Sequence, residues 1–560
     1  MAITSRIVSY IILRPIQILF WAPWRKLAFW YISVYDGIPK KKREARKLAR
    51  NPETSLDSYD PLLLLSATEL ARRIRAGKLT SEQVLLTYIN RIEKVNPFLN
   101  AVVADRYEQA LEEARKVDRI IASGNIPEEF SIKNKPFLGV PVTIKECIAV
   151  KGLPNTFGLA WRVNTKWSPA PYNSPRTVNL TGAGFIILGV TNNPELLMSW
   201  ESNTTVYGRC LNPYDLGRTP GGSSSGEGAI VGAAGSVIGI GTDIGGSIRL
   251  PAYFCGSFGH KTTSEWIPAE PPHFLSPRTK GKAVCATSGP ICRYAEDIAP
   301  FVSALIGRDI GDPRSVDLTK LRVVAIPDGF GWQIAISKVD PELRQAVVNV
   351  ANYLGQQVVG KENVAFAKAP GQIALSSKNF GPMIFTGEPA PSETLGGEGL
   401  PPFNYKKELI PFIFGRSKHT FNSIMLGFFY ALGGKRTRDD VLPFWNQLRE
   451  EFHELLGENG VLIFPPHPLT TQPHGTSYFN PSNVNYTSVF NGLGFPVTQV
   501  PIGLSKDGLP IGVQVVARKH EDLKTIAVAL QLEKGFGGWV PPRRFGVPIA
   551  ENETEDLYAH

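Results

Sequence analysis

The sequence predicts an α/β fold, on three observations. From Phe137 onward, short β-branched runs broken by Gly and Pro (Gly139 to Ile144, Gly184 to Val190, Ser236 to Gly241) have the texture of strands. Before them, residues 60 to 125 read as helices: Ser66 with Glu69 and Thr80 with Gln83 stand at capping-box spacing, each ahead of apolar residues at helical period. The composition agrees, since 43% hydrophobic and 20% charged residues exclude a disordered polymer, a collagen, a coiled coil and a disulfide miniprotein. At 560 residues the chain has the length of three or four average domains of about 150 residues each, ample for a large buried core.

The N-terminal 50 residues differ from the rest. They hold eleven basic side chains against Asp36 and Glu44, a net +9 of the chain's +10, so the remaining 510 residues are nearly neutral. That division argues against a nucleic-acid surface on the body of the protein. Ile7 to Trp24 is a mostly apolar run that as a helix would reach about 27 Å, against about 30 Å for a bilayer core. Arg14 and Pro15 interrupt it, so two arrangements stand: a spanning helix, or an interfacial or hairpin-like insertion with Arg14 snorkelling to the headgroups. Trp21, Trp24, Trp30 and Tyr31 suit the interface, and Lys40 to Arg50 suits anionic lipid and, equally, a solvated helix face. No small-residue cleavage site follows the run, which disfavours a signal peptide. Residues 1–50 are therefore expected to be a membrane-anchor segment, which places the protein at a membrane of unspecified organelle.

Further along, residues 385 to 403 are rich in Pro and Gly and predict a surface loop. Leu409 to Leu432 is apolar and aromatic, giving either a buried helical pair or a second membrane-contacting surface or lipid-channel wall. The five cysteines are scattered without CxxC spacing and the eight histidines form no HxxxH pair, so neither a disulfide framework nor a metal centre is expected.

The chemistry concentrates between residues 139 and 249. Gly221-Gly222-Ser223-Ser224-Ser225-Gly226 is followed by a small-residue helix candidate, Gly228 to Gly235, and by a second glycine turn, Gly241 to Ser247. Neither turn ends in GK[ST], so a phosphate-cradling P-loop is excluded. Gly222 to Gly226 also reads as GxSxG with Ser224 central, the nucleophile elbow of an α/β-hydrolase; His467 or His474 would then supply the base, but no HGGG-type motif lies upstream.

Taken together, Lys145 in Gly-Val-Pro-Val-Thr-Ile-Lys-Glu, the Gly-Gly-Ser-Ser-Ser-Gly run and Gly-Thr-Asp-Ile-Gly-Gly-Ser-Ile-Arg ending at Arg249 resemble the amidase signature family in order and spacing. The similarity extends over residues 60–545, including Asn212-Pro213-Tyr214-Asp215 and Gly494 to Thr498, and is greatest to the N-terminally anchored fatty-acid amide hydrolases of that family. It implies one catalytic domain, a large mixed sheet covered by helices, between the anchor and a tail at 546–560. It also implies Ser247 as nucleophile, Ser223 as proton shuttle after a cis peptide bond, and Lys145 as base. The amides of Ile244, Gly245, Gly246 and Ser247 would form the oxyanion hole. Ser224 would support the triad by hydrogen bonding, and Arg249 would order the loop through backbone carbonyls. Leu197 would line the substrate path, an ordinary core leucine being its plainer reading.

For Lys145 to act as base its pKa must fall from about 10.4 to 7 or 8, which burial beside Val142 and Ile144 would promote. The expected function is hydrolysis of long-chain fatty acid amides at a membrane, with no cofactor, no nucleic-acid partner and a homodimer permitted. The alternatives are an amidase of short or polar amides, an amidotransferase subunit of the same family, and a non-catalytic lipid-binding scaffold.

Overall fold

The computed structural model describes residues 60–267, 285–330, 336–385, 391–432 and 436–542. The expected anchor at 1–50 and tail at 546–560 lie outside the described residues. Eleven strands among the described residues form one sheet: β1 (Val102–Asp105), β2 (Pro141–Lys145), β3 (Ile186–Thr191), β4 (Ile238–Asp243), β5 (Phe258–Lys261), β6 (Thr287–Cys292), β7 (Arg322–Ala325), β8 (Val364–Phe366), β9 (Gly460–Phe464), β10 (Val497–Leu504) and β11 (Pro510–Val516). Their order across the sheet is β1-β3-β2-β4-β6-β5-β10-β11-β9-β7-β8. The sheet is mixed: β2 runs parallel to both β3 and β4, β7 runs parallel to both β8 and β9, and the other neighbours are antiparallel. All three strand runs read from the sequence are present as β2, β3 and β4. Every residue of β2 and β3 is buried, as expected where helices cover both faces of a parallel segment.

The helices start where the capping residues predict. Ser66 Oγ accepts from the Glu69 amide and Thr80 Oγ1 from the Gln83 amide, both at 3.0 Å, opening the helices Ala67–Arg75 and Ser81–Leu99. The Glu69 carboxylate does not return to the cap as a full box would require. It turns instead to Arg72 (2.6 Å) and Arg73 (2.5 Å), because charged partners one turn away outcompete a backbone amide.

Two expectations are corrected. The 385–403 stretch is more than a surface loop: it includes the short helix Pro391–Gly396, and Leu395 and Phe403 are buried. Leu409 to Leu432 does fold as part of a helical pair, Tyr405–Ile413 and Phe421–Leu432, but the pair is buried on one side only. Phe412 and Ile424 point inward, whereas Ile410 is 65% and Phe414 71% exposed, with Leu409, Ile413 and Phe428 also open to solvent. Among the described residues no helix is long and apolar enough to cross a membrane.

Candidate active site

Adjacent parallel strands bring two distant chain segments to one edge of the sheet. Thr143 pairs with Gly239 and Ile144 with Ile240, so the carboxyl ends of β2 and β4 carry Lys145 and Thr242 side by side. Carboxyl ends of parallel strands are where α/β sheets build their sites. Lys145 is fully buried and its Nζ donates to Ser223 Oγ and to Thr242 Oγ1, both at 2.8 Å. Burial lowers its pKa from 10.5 to about 8, against the opposing pull of Cys147, Asp243, Glu227 and Glu146.

Ser223 sits in the glycine-serine run at 2% exposure, and the Gly222–Ser223 peptide bond is cis. Gly222 is required by close approach: a Cβ there would stand 2.5 Å from the Ser199 carbonyl oxygen. The run then enters the helix Ser225–Gly232. The Ser224 amide donates to the Ser247 carbonyl at 3.1 Å, tying the serine run directly to the second glycine turn. Behind Lys145, the buried Glu227 accepts from Thr143 Oγ1 (2.6 Å) and Thr191 Oγ1 (2.8 Å), and burial pushes its carboxyl up to about 7.

The turn after β4 is organised by Asp243. Its carboxylate accepts from the Gly246 amide at 2.7 Å and the Ile248 amide at 3.1 Å, and both its oxygens meet Arg249, Nε and Nη2 at 3.1 Å. Burial alone would raise this carboxyl, but the Arg249 guanidinium beside it holds it well below the usual range. The remaining Arg249 protons go to Asn491 Oδ1 (2.6 Å), Gln514 Oε1 (2.9 Å) and the Thr487 carbonyl (3.0 Å). Asn491 Nδ2 returns to Asp243 at 2.9 Å. The result is a closed, dry ionic frame beneath a turn whose outer residue, Ser247, keeps 8% exposure.

Several sequence expectations are adjusted by this geometry. Of the four amides expected to form an oxyanion hole, that of Gly246 is already committed to Asp243, while those of Ile244, Gly245 and Ser247 make no hydrogen bond within the described residues. Arg249 acts chiefly through the Asp243 carboxylate rather than through backbone carbonyls, because a guanidinium with no exposure needs a countercharge. Ser224 is not an elbow nucleophile: its Oγ donates to the Thr242 carbonyl at 3.4 Å and bonds to no histidine. His467 packs edge-on between Trp200 and Phe254, and burial drives its pKa down to about 4. His474 lies at the Leu216 carbonyl, 3.3 Å away. Leu197 is half-buried in the segment that approaches Gly222.

Several contributors were not singled out from sequence, Glu227 and Gln514 among them. Thr242 and Asp243 lie inside the quoted Gly-Thr-Asp-Ile-Gly-Gly-Ser motif, and their polarity between apolar strand and glycine turn was the available signal. Thr487 and Asn491, on the helix Asn485–Leu493, gave none, being more than 200 residues away.

A buried amine held against a serine hydroxyl, next to a serine turn with uncommitted amides, has the parts of an amide-cleaving hydrolase. The chain belongs to the amidase family, whose model matches residues 83–371. Fatty-acid amide hydrolase 2-A of Danio rerio is 40% identical over 499 residues, covering 86% of this chain and 91% of that protein. Fatty-acid amide hydrolase 2 of Homo sapiens is 39% identical over 506 residues, covering 87% and 92%. Among solved structures, one described as fatty acid amide hydrolase superposes with a TM-score of 0.71 at 23% identity, covering 90% of this chain and 92% of its own. The 6-aminohexanoate cyclic dimer hydrolase gives 0.68 at 24%, covering 87% and 100%. The protein is thus an amide-hydrolysing enzyme built on a single α/β domain.

Proposed function

We propose that the protein hydrolyses long-chain fatty acid amides at a membrane surface, by a serine-serine-lysine triad and an acyl-enzyme. The observation that carries the chemistry is the 2.8 Å contact between Ser223 Oγ and a fully buried Lys145 whose pKa lies near 8. Neutral Lys145 takes a proton from Ser223, which takes one from Ser247, and Ser247 Oγ attacks the amide carbonyl. The negative charge that develops on the carbonyl oxygen is met by the uncommitted amides of Ile244, Gly245 and Ser247. Protonated Lys145 then returns its proton through Ser223 to the departing amine. Water enters, loses a proton along the same route and hydrolyses the ester, regenerating Ser247.

Two things support a lipid substrate. The relatives about 40% identical over most of the chain are fatty-acid amide hydrolases. The outer face of the helical pair 405–432 exposes Leu409, Ile410, Ile413 and Phe414, with Lys406 and Lys407 on the same segment. An apolar face with basic neighbours suits the headgroup boundary of a bilayer. The test is hydrolysis of a long-chain fatty acid ethanolamide by the detergent-solubilised full chain, comparing wild type with Ser247→Ala and Lys145→Ala. Loss in the first and a sharp fall in the second are expected. Cleavage of short polar amides alone would keep the chemistry and overturn the lipid substrate.

A further inference from the structure

The segment carrying Leu197 is held from its two ends by different parts of the molecule. At its far end, the Trp200 carbonyl accepts from Thr219 Oγ1 at 3.0 Å and the Glu201 carboxylate accepts from the Gly475 amide at 2.9 Å. These contacts fix the stretch that packs on Gly222 of the serine run. At its near end stands Glu195, a carboxylate with 3% exposure. Its three acceptor contacts all go to one short segment: His419 Nδ1, the Thr420 amide and Ser423 Oγ, each at 2.7 Å. That segment opens the helix Phe421–Leu432, half of the pair that exposes the apolar face. A second tie, Thr205 Oγ1 to the Lys418 carbonyl at 2.8 Å, joins the same two regions.

Between the two ends, Leu196 and Leu197 have φ of 57° and 60°, two consecutive non-glycine residues in the left-handed region. Such a conformation persists only where the surroundings over-determine it. The backbone here is tied by the Glu195 amide on the Asn203 carbonyl (3.3 Å), the Leu196 amide on the Phe157 carbonyl (3.0 Å) and the turn bond from Leu197 to Pro194, the Leu196 side chain is buried in the core, and the Glu195 carboxylate adds a side-chain anchor to the helical pair described above. A buried carboxylate with three donors is a rigid joint, and removing it strands those donors together.

We propose that Glu195 is a positioning residue for chain-length specificity, holding Leu197 in register with the apolar helical pair so that a long acyl chain finds a continuous wall. The proposal rests on the lipid-amide reading above. A short amide needs only Lys145, Ser223, Ser247 and the amides around them, and these are secured by the Trp200 end and by Asp243. On that reading a long chain also runs past Leu197, which is half-buried just ahead of the stretch that packs on Gly222.

The test uses the full chain in detergent, with a long-chain fatty acid ethanolamide and a short, water-soluble aliphatic amide as paired substrates. Glu195→Ala and Glu195→Gln are expected to lower kcat/KM on the long substrate by about tenfold, mainly through KM, while the short substrate changes by less than about twofold. Ser423→Ala removes one donor and should show the same split at about threefold, which keeps the proposal testable if the Glu195 variants fail to fold. Equal losses on both substrates would reduce Glu195 to a structural role and overturn the proposal, as would no loss on either. If wild type cleaves the short amide but no long one, the lipid reading itself falls, a result distinct from the loss of the split.

Discussion

Titration of Lys145 offers the sharpest check on the proposed mechanism. Its pKa of about 8, against an ordinary 10.5, means that the buried ammonium is destabilised by on the order of 3 kcal/mol relative to the neutral amine. The base is competent only when neutral, a fraction of about 9% at pH 7 and 91% at pH 9. Initial rates at low ethanolamide concentration, measured from pH 6 to 10, should therefore give kcat/KM rising about tenfold between pH 7 and 9 and then levelling. Stability follows the same group. Between the folded value near 8 and the unfolded value of 10.5, the unfolded chain binds the extra proton, so resistance to urea from this group rises with pH across that window. Below pH 8 both states are charged and the full penalty is present, so Lys145→Met should be inactive there yet unfold at higher urea than wild type. A rate that climbs without a plateau through pH 10 would show an unperturbed lysine and refute the reasoning.

Three further outcomes are expected. Gly246→Ala should abolish activity, since φ is 126° and the added Cβ would meet Thr487 Oγ1 at 2.1 Å; Gly245→Ala, whose nearest neighbour is Phe380 at 3.5 Å, should keep most of it, with both read by kcat on one substrate. Arg249→Met strands the Asp243 carboxylate in a dry interior and should cost about 3–5 kcal/mol in urea denaturation; Arg249→Lys should rescue little, because an ammonium cannot make the two-pronged contact. Ile410→Glu with Phe414→Glu should weaken sedimentation with anionic vesicles while leaving hydrolysis of a short soluble amide unchanged, as both side chains are open to solvent.

Local signals were legible where the chain carries its own explanation. The β-branched runs became β2, β3 and β4, and the caps at Ser66 and Thr80 opened helices, because both depend on residues a few positions apart. Lys145, Ser223 and Ser247 were singled out by the order of their motifs, and the fold brings Lys145 against Ser223. Arg249 was noticed but its partner was not, since a buried guanidinium and a surface one look alike until burial is known. The half-exposed helical pair shows the same blind spot: the periodic apolar residues of 409–432 are too many for one buried stripe, and sequence alone does not say which face the body of the protein covers.

The frame around Arg249 also has a consequence for biosynthesis. Lys145, Ser223 and Ser247 leave the ribosome well before Thr487, Asn491 and Gln514, and β10 and β11 belong in the interior of the sheet order, between β5 and β9. A nascent chain halted before Asn485 owns all three side chains of the proposed triad, yet its sheet is split and the Arg249 guanidinium lacks three acceptors. Such long-range closure is slow to form. The ionic frame beneath the Ser247 turn is thus completed only after β10 and β11 have slotted between strands already made.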